Sequence, residues 1–292
     1  MRILVAVDEN PYSDFAVHEA AKLAINTWAD VTLFGVRTTL SVKEEDDTWP
    51  LHHPLNQALH SYREDFLKSG DGDESPYAMK NWEYQWLPVK NGLWEEMLIC
   101  RSAKKDLKVR LRSGNIAQEI LVEANEEEAD LIVLGCTKGG KCNWEGPSPV
   151  PQGVLNEAEC SVLLVKEEQP ITGILACLDQ SYISQDSLEM INQMATIHGA
   201  KLELIGLSQE GAMKKDVYRR LIEIGDYYED RQIEVKTTLT EISEFESFVT
   251  QELKQNLLAL WMGKKSLLDR FFPRDWVGRF ASKCQTSVLI MR

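Results

Sequence analysis

Long hydrophobic runs are missing from this sequence. Its longest apolar stretch, Leu257 to Met262, falls far short of the roughly 20 residues that cross a bilayer. The apolar opening Ile3 to Val7 stops at Asp8, before the roughly 7 to 15 residues of a signal-peptide core. A soluble, cytoplasmic chain with no membrane partner is expected. Positive charge is also scarce: 32 Lys and Arg face 46 Asp and Glu, a net charge of −14. Affinity for a phosphate backbone comes from clustered cations that release counterions, so no nucleic-acid partner is expected. A small anion stays allowed, because charges are screened over about 8 Å in physiological salt and the local site decides.

Metal and catalytic signatures are absent too. The six cysteines, Cys100, Cys136, Cys142, Cys160, Cys177 and Cys284, form no Cys-x-x-Cys pair, and the spacing of Cys136, Cys142 and Cys160 fits no zinc pattern. Several lie in strand-like apolar runs, so reduced, buried thiols are expected. His52, His53 and His60 read as solvated loop residues, with Pro54 suited to the first turn of a helix, and no metal is expected. There is no Gly-x-Ser-x-Gly elbow and no Gly-x-x-x-x-Gly-Lys-Ser/Thr loop, so no catalytic residue is assigned. The run Glu126 to Glu128 reads as the solvated end of a helix.

What the chain does contain is a repeat. Without a gap, Ile3 to Val36 aligns with Ile174 to Leu207, matching Ile3, Leu4, Asp8, Ser13, Ala24, Ala29, Leu33 and Gly35 with identical residues. Each copy runs apolar strand, Asp, polar turn, periodic helix, apolar strand. The second halves agree more loosely, with strands at Asp130 to Gly135 and Leu257 to Gly263, then Ser161 to Val165 and Ser287 to Met291. Helices are expected over Asp14 to Thr27, Ile116 to Glu128, Ser184 to His198, Ala212 to Arg231 and Glu244 to Lys254. Glu167 to Pro170 reads as a linker, placing domains at 1–168 and 171–292. Short continuous apolar runs indicate strands covered on both faces, hence parallel sheets. The fold class is therefore α/β: two tandem, doubly wound domains with helices on both faces.

The first copy carries extra material over 39–106, where the second has little more than one helix. It holds four of the eight tryptophans, Trp49, Trp82, Trp86 and Trp94. These form either a small satellite core or a surface for a protein partner.

Ligands of open parallel sheets bind at the carboxyl ends of strands, where strand order reverses. Asp8, Val36 and the loop from Gly135 fall there in the first copy; Asp179, Leu207, Thr238 to Thr240 and Gly263 do so in the second. Asp8 reads equally as a ligand contact and as a cap on the following helix through Ser13 and Asp14. The loop Thr137 to Lys141 is basic and glycine-rich, which suits an anion.

Ile3-Leu-Val-Ala-Val-Asp8, Ala129-Asp-Leu-Ile-Val-Leu-Gly135 and Ala158-Glu-Cys-Ser-Val-Leu-Leu-Val165 resemble the first, fourth and last strands of universal stress proteins. With the second copy, the resemblance spans nearly the whole chain outside 39–106. It implies adenine-nucleotide α-hydrolase-like domains. Nucleotide-binding members hold adenine by an Asp after the first strand and by backbone at the end of the second, positions matched by Asp8 and Val36 and by Asp179 and Leu207. Their phosphate loop has the form Gly, two residues, Gly, nine residues, Gly, Ser or Thr. Here Gly135, Thr137, Gly139 and Gly140 occupy that loop, but Lys138 stands where its second glycine belongs. The terminal Gly-Ser falls near Ser148-Pro149, where proline offers no N–H. Gly146, Ser148 or Gly153 would then serve by another path. The second copy keeps Gly263 but ends on Asp275-Trp276, which opposes a phosphate by charge and bulk.

The resemblance thus implies a stress-related ligand-binding or adaptor protein, with ATP or another adenine nucleotide confined to the first domain. Two alternatives are an apolar-ligand carrier working through the degenerate second domain and a slow nucleotide hydrolase. An internal pseudo-dimer of the two domains, or a homodimer, accompanies the first reading.

Overall fold

The computed structural model describes residues 1–38, 53–70, 75–77, 84–90, 92–98, 104–140, 142–145, 149–166, 170–178, 183–209, 211, 215–252, 256–262, 272 and 275–292. Contacts divide the chain into two compact units: Met1–Thr137 with Lys141–Val165, and Lys138–Gly140 with Lys166–Arg292.

The first unit runs β1 (Arg2–Val7), α1 (Tyr12–Thr27), β2 (Asp30–Arg37), α2 (Pro54–Lys68), β3 (Tyr84–Lys90), β4 (Leu93–Leu98), β5 (Leu107–Ser113), α3 (Ile116–Glu126), β6 (Leu131–Cys136), α4 (Val150–Glu157) and β7 (Ser161–Lys166). Its strand order is β7-β6-β1-β2-β5-β4-β3, so the order reverses at β1. Strand β1 pairs in parallel with β2 and β6, and β2 with β5. The apolar runs behave as their patterning requires: every residue of Ile3 to Val7 and of Leu131 to Cys136 is buried. Helix α1 lies on β1 and β6, and the buried Ala16, Ala20, Ala21 and Ala24 let its backbone approach the sheet. It begins two residues earlier than Asp14.

Helix α2 stands between β2 and β5 in chain order and has a counterpart in the second unit, whereas among the described residues β3 and β4 have none and extend the sheet antiparallel to β5. Consecutive strand residues point to opposite faces, and β4 uses both. Glu96 pairs with Arg63 of α2, a guanidinium only 2% exposed that also lies 3.7 Å over the Tyr84 ring. Glu95 accepts from Arg110 Nε at 2.8 Å on the other face.

Beyond Arg110 lies a cluster that adds ion pairs to the solvated end expected at Glu126 to Glu128, where Glu126 and Glu128 are exposed and Glu127 is half-buried. Fully buried Glu123 bridges Arg110 and Arg112, at 2.6 and 2.7 Å. Glu127 binds Arg110 and Lys108, each at 2.6 Å, and Glu126 binds Arg112 and Lys90. The cause is the alternation of β5: Lys108, Arg110 and Arg112 share one face and draw the acidic residues of α3 and its end onto them. Burial works against the charge of Arg110, yet its hydrogen bond to Glu123 and its other carboxylates raise its pKa overall. Glu127 is driven below the usual carboxylate range by Lys108 and Arg110 despite partial burial.

The second unit runs β8 (Gly173–Leu178), α5 (Gln185–His198), β9 (Lys201–Ser208), α6 (Lys215–Glu229), β10 (Val235–Glu241), α7 (Phe245–Glu252), β11 (Asn256–Trp261), α8 (Trp276–Lys283) and β12 (Val288–Met291). Its order is β10-β9-β8-β11-β12, with all neighbours parallel. Both units are thus α/β with central parallel strands, as the repeat indicates. Ser184 caps α5, its Oγ accepting from Ser187 N at 3.1 Å, and Gly199 closes the helix at φ 57°. Ser184→Ala is expected to cost about 1 kcal/mol, read as a lower urea midpoint with unchanged slope.

Candidate functional site

The carboxyl ends of β1, β2 and β6 converge where strand order reverses, and Asp8 follows β1 there with 6% exposure. Its carboxylate is occupied by its own turn. Oδ1 accepts from Asn10 N at 3.0 Å and Ser13 Oγ at 2.7 Å; Oδ2 accepts from Asn10 Nδ2 at 2.7 Å and from Tyr12 OH. A carboxylate has about four lone-pair sites, and these donors use them. The Asp8 carbonyl in turn accepts from Tyr62 OH at 2.8 Å. Burial first, then the hydrogen bond to Asp8, holds the Tyr12 phenol well above its ordinary pKa; burial and the nearby Asp14 and Asp8 carboxylates do the same for Tyr62.

Residues 142–145 form a strap across these strand ends. Trp144, 8% exposed, donates from Nε1 to the Gly135 carbonyl at 3.0 Å, and its ring centroid lies 6.0 Å from that of Tyr12. Asn143 accepts through its carbonyl from Asn10 Nδ2 at 3.4 Å, and Glu145 accepts from Thr38 Oγ1 at 3.3 Å. The strap therefore touches the turn after β1, the residue after β2, and β6 itself. Cys142 begins it and is disulfide-bonded to Cys136, the last residue of β6, with Cα atoms 5.1 Å apart. This corrects the expectation of reduced thiols at these two positions: the turn after β6 folds back and returns Cys142 to the strand it left. Cys177 and Cys284 are buried, and Cys160 is half-buried.

At the mouth stand Glu9, Arg37, His53 and Glu145. His53 Nδ1 accepts from Leu55 N at 3.2 Å at the start of α2, where Pro54 opens the helix, and lies 3.9 Å from Glu9. Burial is the main cause of its lowered pKa, assisted by Arg37 and opposed by Glu9 and Glu145. With a neutral imidazole, the described groups around His53 are two carboxylates and one guanidinium, a balance that disfavours a phosphate. Among the described residues no cluster of three His, Cys, Asp or Glu could hold a metal.

Of the residues singled out from sequence, Asp8 and Gly135 meet at this site through Tyr12 and Trp144. Val36 is buried near the end of β2, paired with Arg112 of β5. Thr137 comes directly after β6, and Lys138, Gly139 and Gly140 form a short 3-10 turn with Gly139 at φ 74°; that turn groups with the second unit. Ser148, Gly146, Asp179 and Gly263 lie outside the described residues, as do 39–52, Trp82 and Lys141. In the second unit Leu207 is buried in β9, and Asp275 precedes α8, paired with Arg279 at 3.2 Å. Trp276 is stacked between Phe272 and Phe280, at 4.0 and 4.5 Å, with Phe245 beside it at 6.2 Å and its Nε1 donating to Glu246.

As arranged, the first site does not fit an adenine nucleotide. Asp8 has no acceptor left for an adenine amine, an indole sits over the β6 end, and the described residues of the mouth have no surplus of positive charge. Tyr12, Tyr62 and Trp144, which complete the site, escape a reading by motif; the one available signal is an indole directly after a glycine-rich loop at a strand end.

A sequence model of the universal stress protein family matches residues 1–166. No curated protein matches the chain. Among solved structures, a universal stress protein from Archaeoglobus fulgidus DSM 4304 superposes with a TM-score of 0.63 at 13% identity, covering 100% of this chain and 96% of the other. A protein of Pseudomonas aeruginosa UCBPP-PA14 described as a universal stress protein superposes with a TM-score of 0.55 at 15% identity, covering 99% and 92%. At such identity the likeness is one of fold.

Proposed function

The chain belongs to the universal stress protein family, and from that premise we propose that it is an adaptor that works by binding and not by catalysis, its first ligand site closed by its own side chains. The observation that supports this is Trp144, which takes the Gly135 carbonyl and packs on Tyr12 while the turn residues consume Asp8. A nucleotide enters only if the strap leaves. The partner side of the reading draws on the hairpin: β3 is the sheet edge of the first unit, and Leu87 and Val89 on it are 39% and 48% exposed. An edge strand with exposed apolar side chains is a surface for another chain.

Calorimetric titration with ATP and magnesium tests this. The oxidised wild-type protein is expected to give no saturable binding at millimolar nucleotide, whereas the double variant Asn10→Ala, Trp144→Ala, which vacates the indole's place and frees an Oδ2 acceptor position of Asp8, is expected to bind. Saturable binding to the oxidised wild type, or phosphate release lost in Asp8→Ala, would sink the closed-site reading.

A further inference from the structure

We infer that the Cys136–Cys142 pair is a redox latch that holds Trp144 in the ligand site, an inference that rests on the closed-site reading above. Three observations carry it. The bond joins the strap to a wholly buried strand end, so one anchor is rigid: Cys136 closes β6, while Cys142 is half-buried. Trp144 lies two residues beyond Cys142, so whatever fixes Cys142 fixes the indole. The polar ties that remain are single hydrogen bonds, Trp144 to Gly135 at 3.0 Å, Asn10 to Asn143 at 3.4 Å and Thr38 to Glu145 at 3.3 Å. The last two lie beyond the usual range for good geometry.

The chemistry is thiol–disulfide exchange with a dithiol reductant. Exposure directs attack to Cys142. A reductant thiolate attacks Cys142 Sγ, forming a mixed disulfide and breaking the bond to Cys136 Sγ, which leaves as a thiolate and takes up a proton. The second thiolate of the reductant then attacks its own sulfur in the mixed disulfide. Cys142 is released as a thiolate, takes a proton, and the reductant departs as a disulfide. Two electrons and two protons pass to the pair, in keeping with a two-electron couple. Reduced, the strap keeps only its hydrogen bonds and the indole packing, and the face of Asp8 opens.

Dithiothreitol is the probe, used on the full chain. Alkylation under denaturing conditions followed by peptide mass analysis is expected to leave Cys136 and Cys142 unmodified in the air-oxidised protein and to modify both after reduction. Acrylamide quenching of Trp144, isolated by difference from Trp144→Phe, is expected to rise severalfold on reduction. Cys142→Ser is expected to quench like the reduced protein with or without dithiothreitol. Should that variant fail to fold, the wild type before and after reduction carries the same comparison. Full alkylation of both cysteines in the air-oxidised protein overturns the inference, and so does identical Trp144 quenching in the two states. ATP binding by the oxidised wild type counts against the closed site and not against the disulfide, so the two failures are distinguishable.

Discussion

Glu96→Leu is expected to destabilise the first unit by about 3 to 5 kcal/mol, the range for removing one partner of a buried ion pair. Arg63 is among the largest fully buried side chains, at 2% exposure. Without Glu96, its guanidinium keeps Glu64 at 3.2 Å, a carboxylate 37% exposed, together with the His60 ring and the face of Tyr84. Those partners do not replace a desolvated carboxylate. The double variant Arg63→Met, Glu96→Leu removes both charges while keeping similar bulk, and is expected to recover most of the loss. Urea unfolding would measure the three proteins, with hydrogen exchange of the β3 and β4 amides showing whether the hairpin detaches first. A loss under about 1 kcal/mol, the scale of an exposed pair, would mean that water reaches Arg63 and that the hairpin is not held by it.

This pair also marks the limit of what is legible in the sequence. The strands β1, β6 and β7 declare themselves as short, continuous, β-branched apolar runs, the pattern of a strand covered on both faces. The helices emerge from period and caps, as at Ser184. The hairpin does not, because β3 and β4 mix charged and aromatic residues at an edge, and neither face repeats cleanly. Its stabilising partner, Arg63, is 33 residues away from Glu96, a separation that no local pattern encodes. The pairing of Glu127 at the solvated end of α3 is hidden for the same reason: its partners Lys108 and Arg110 lie on a strand that precedes the helix.

The candidate site divides similarly. Asp8 and Ser13 recur as Asp179 and Ser184 in the second copy, and the local ring around Asp8 involves residues at most five positions away, so its hold on the turn is readable from order alone; it does not cap α1, which has no side-chain cap. Trp144 and the Cys136–Cys142 bond are not. Both depend on a turn that carries the chain out from β6 and back to it, and spacing of six residues between cysteines corresponds to no recurrent motif. The strand end at Gly135, which suggests a phosphate loop in the sequence, carries the Trp144 indole on its carbonyl in the fold.

Gly135→Ala is expected to cost about 3 kcal/mol or more, the upper end for overpacking a core, although by motif Gly135 is merely the first glycine of a phosphate loop. A Cβ there would lie 2.2 Å from the Tyr12 carbonyl oxygen and 2.6 Å from its carbon. The obstacle is backbone, so no rotamer change relieves it. The first turn of α1 must move, and with it Tyr12 and the ring of donors around Asp8. Gly139→Ala supplies the contrast. At φ 74° it strains the backbone, but the nearest atom to its Cβ is 3.7 Å away, so the expected cost is about 1 to 2 kcal/mol, the scale of a left-handed conformation for a residue with a Cβ. Urea midpoints give the order, and near-ultraviolet circular dichroism reports whether Tyr12 and Trp144 lose their fixed packing in Gly135→Ala. If Gly139→Ala proves the more damaging, the close approach of β6 to α1 is not what Gly135 provides. If Gly135→Ala is the more damaging and also frees Trp144, this glycine serves the closed site by letting the strand end meet Tyr12, and the indole's hold on the Gly135 carbonyl depends on that approach.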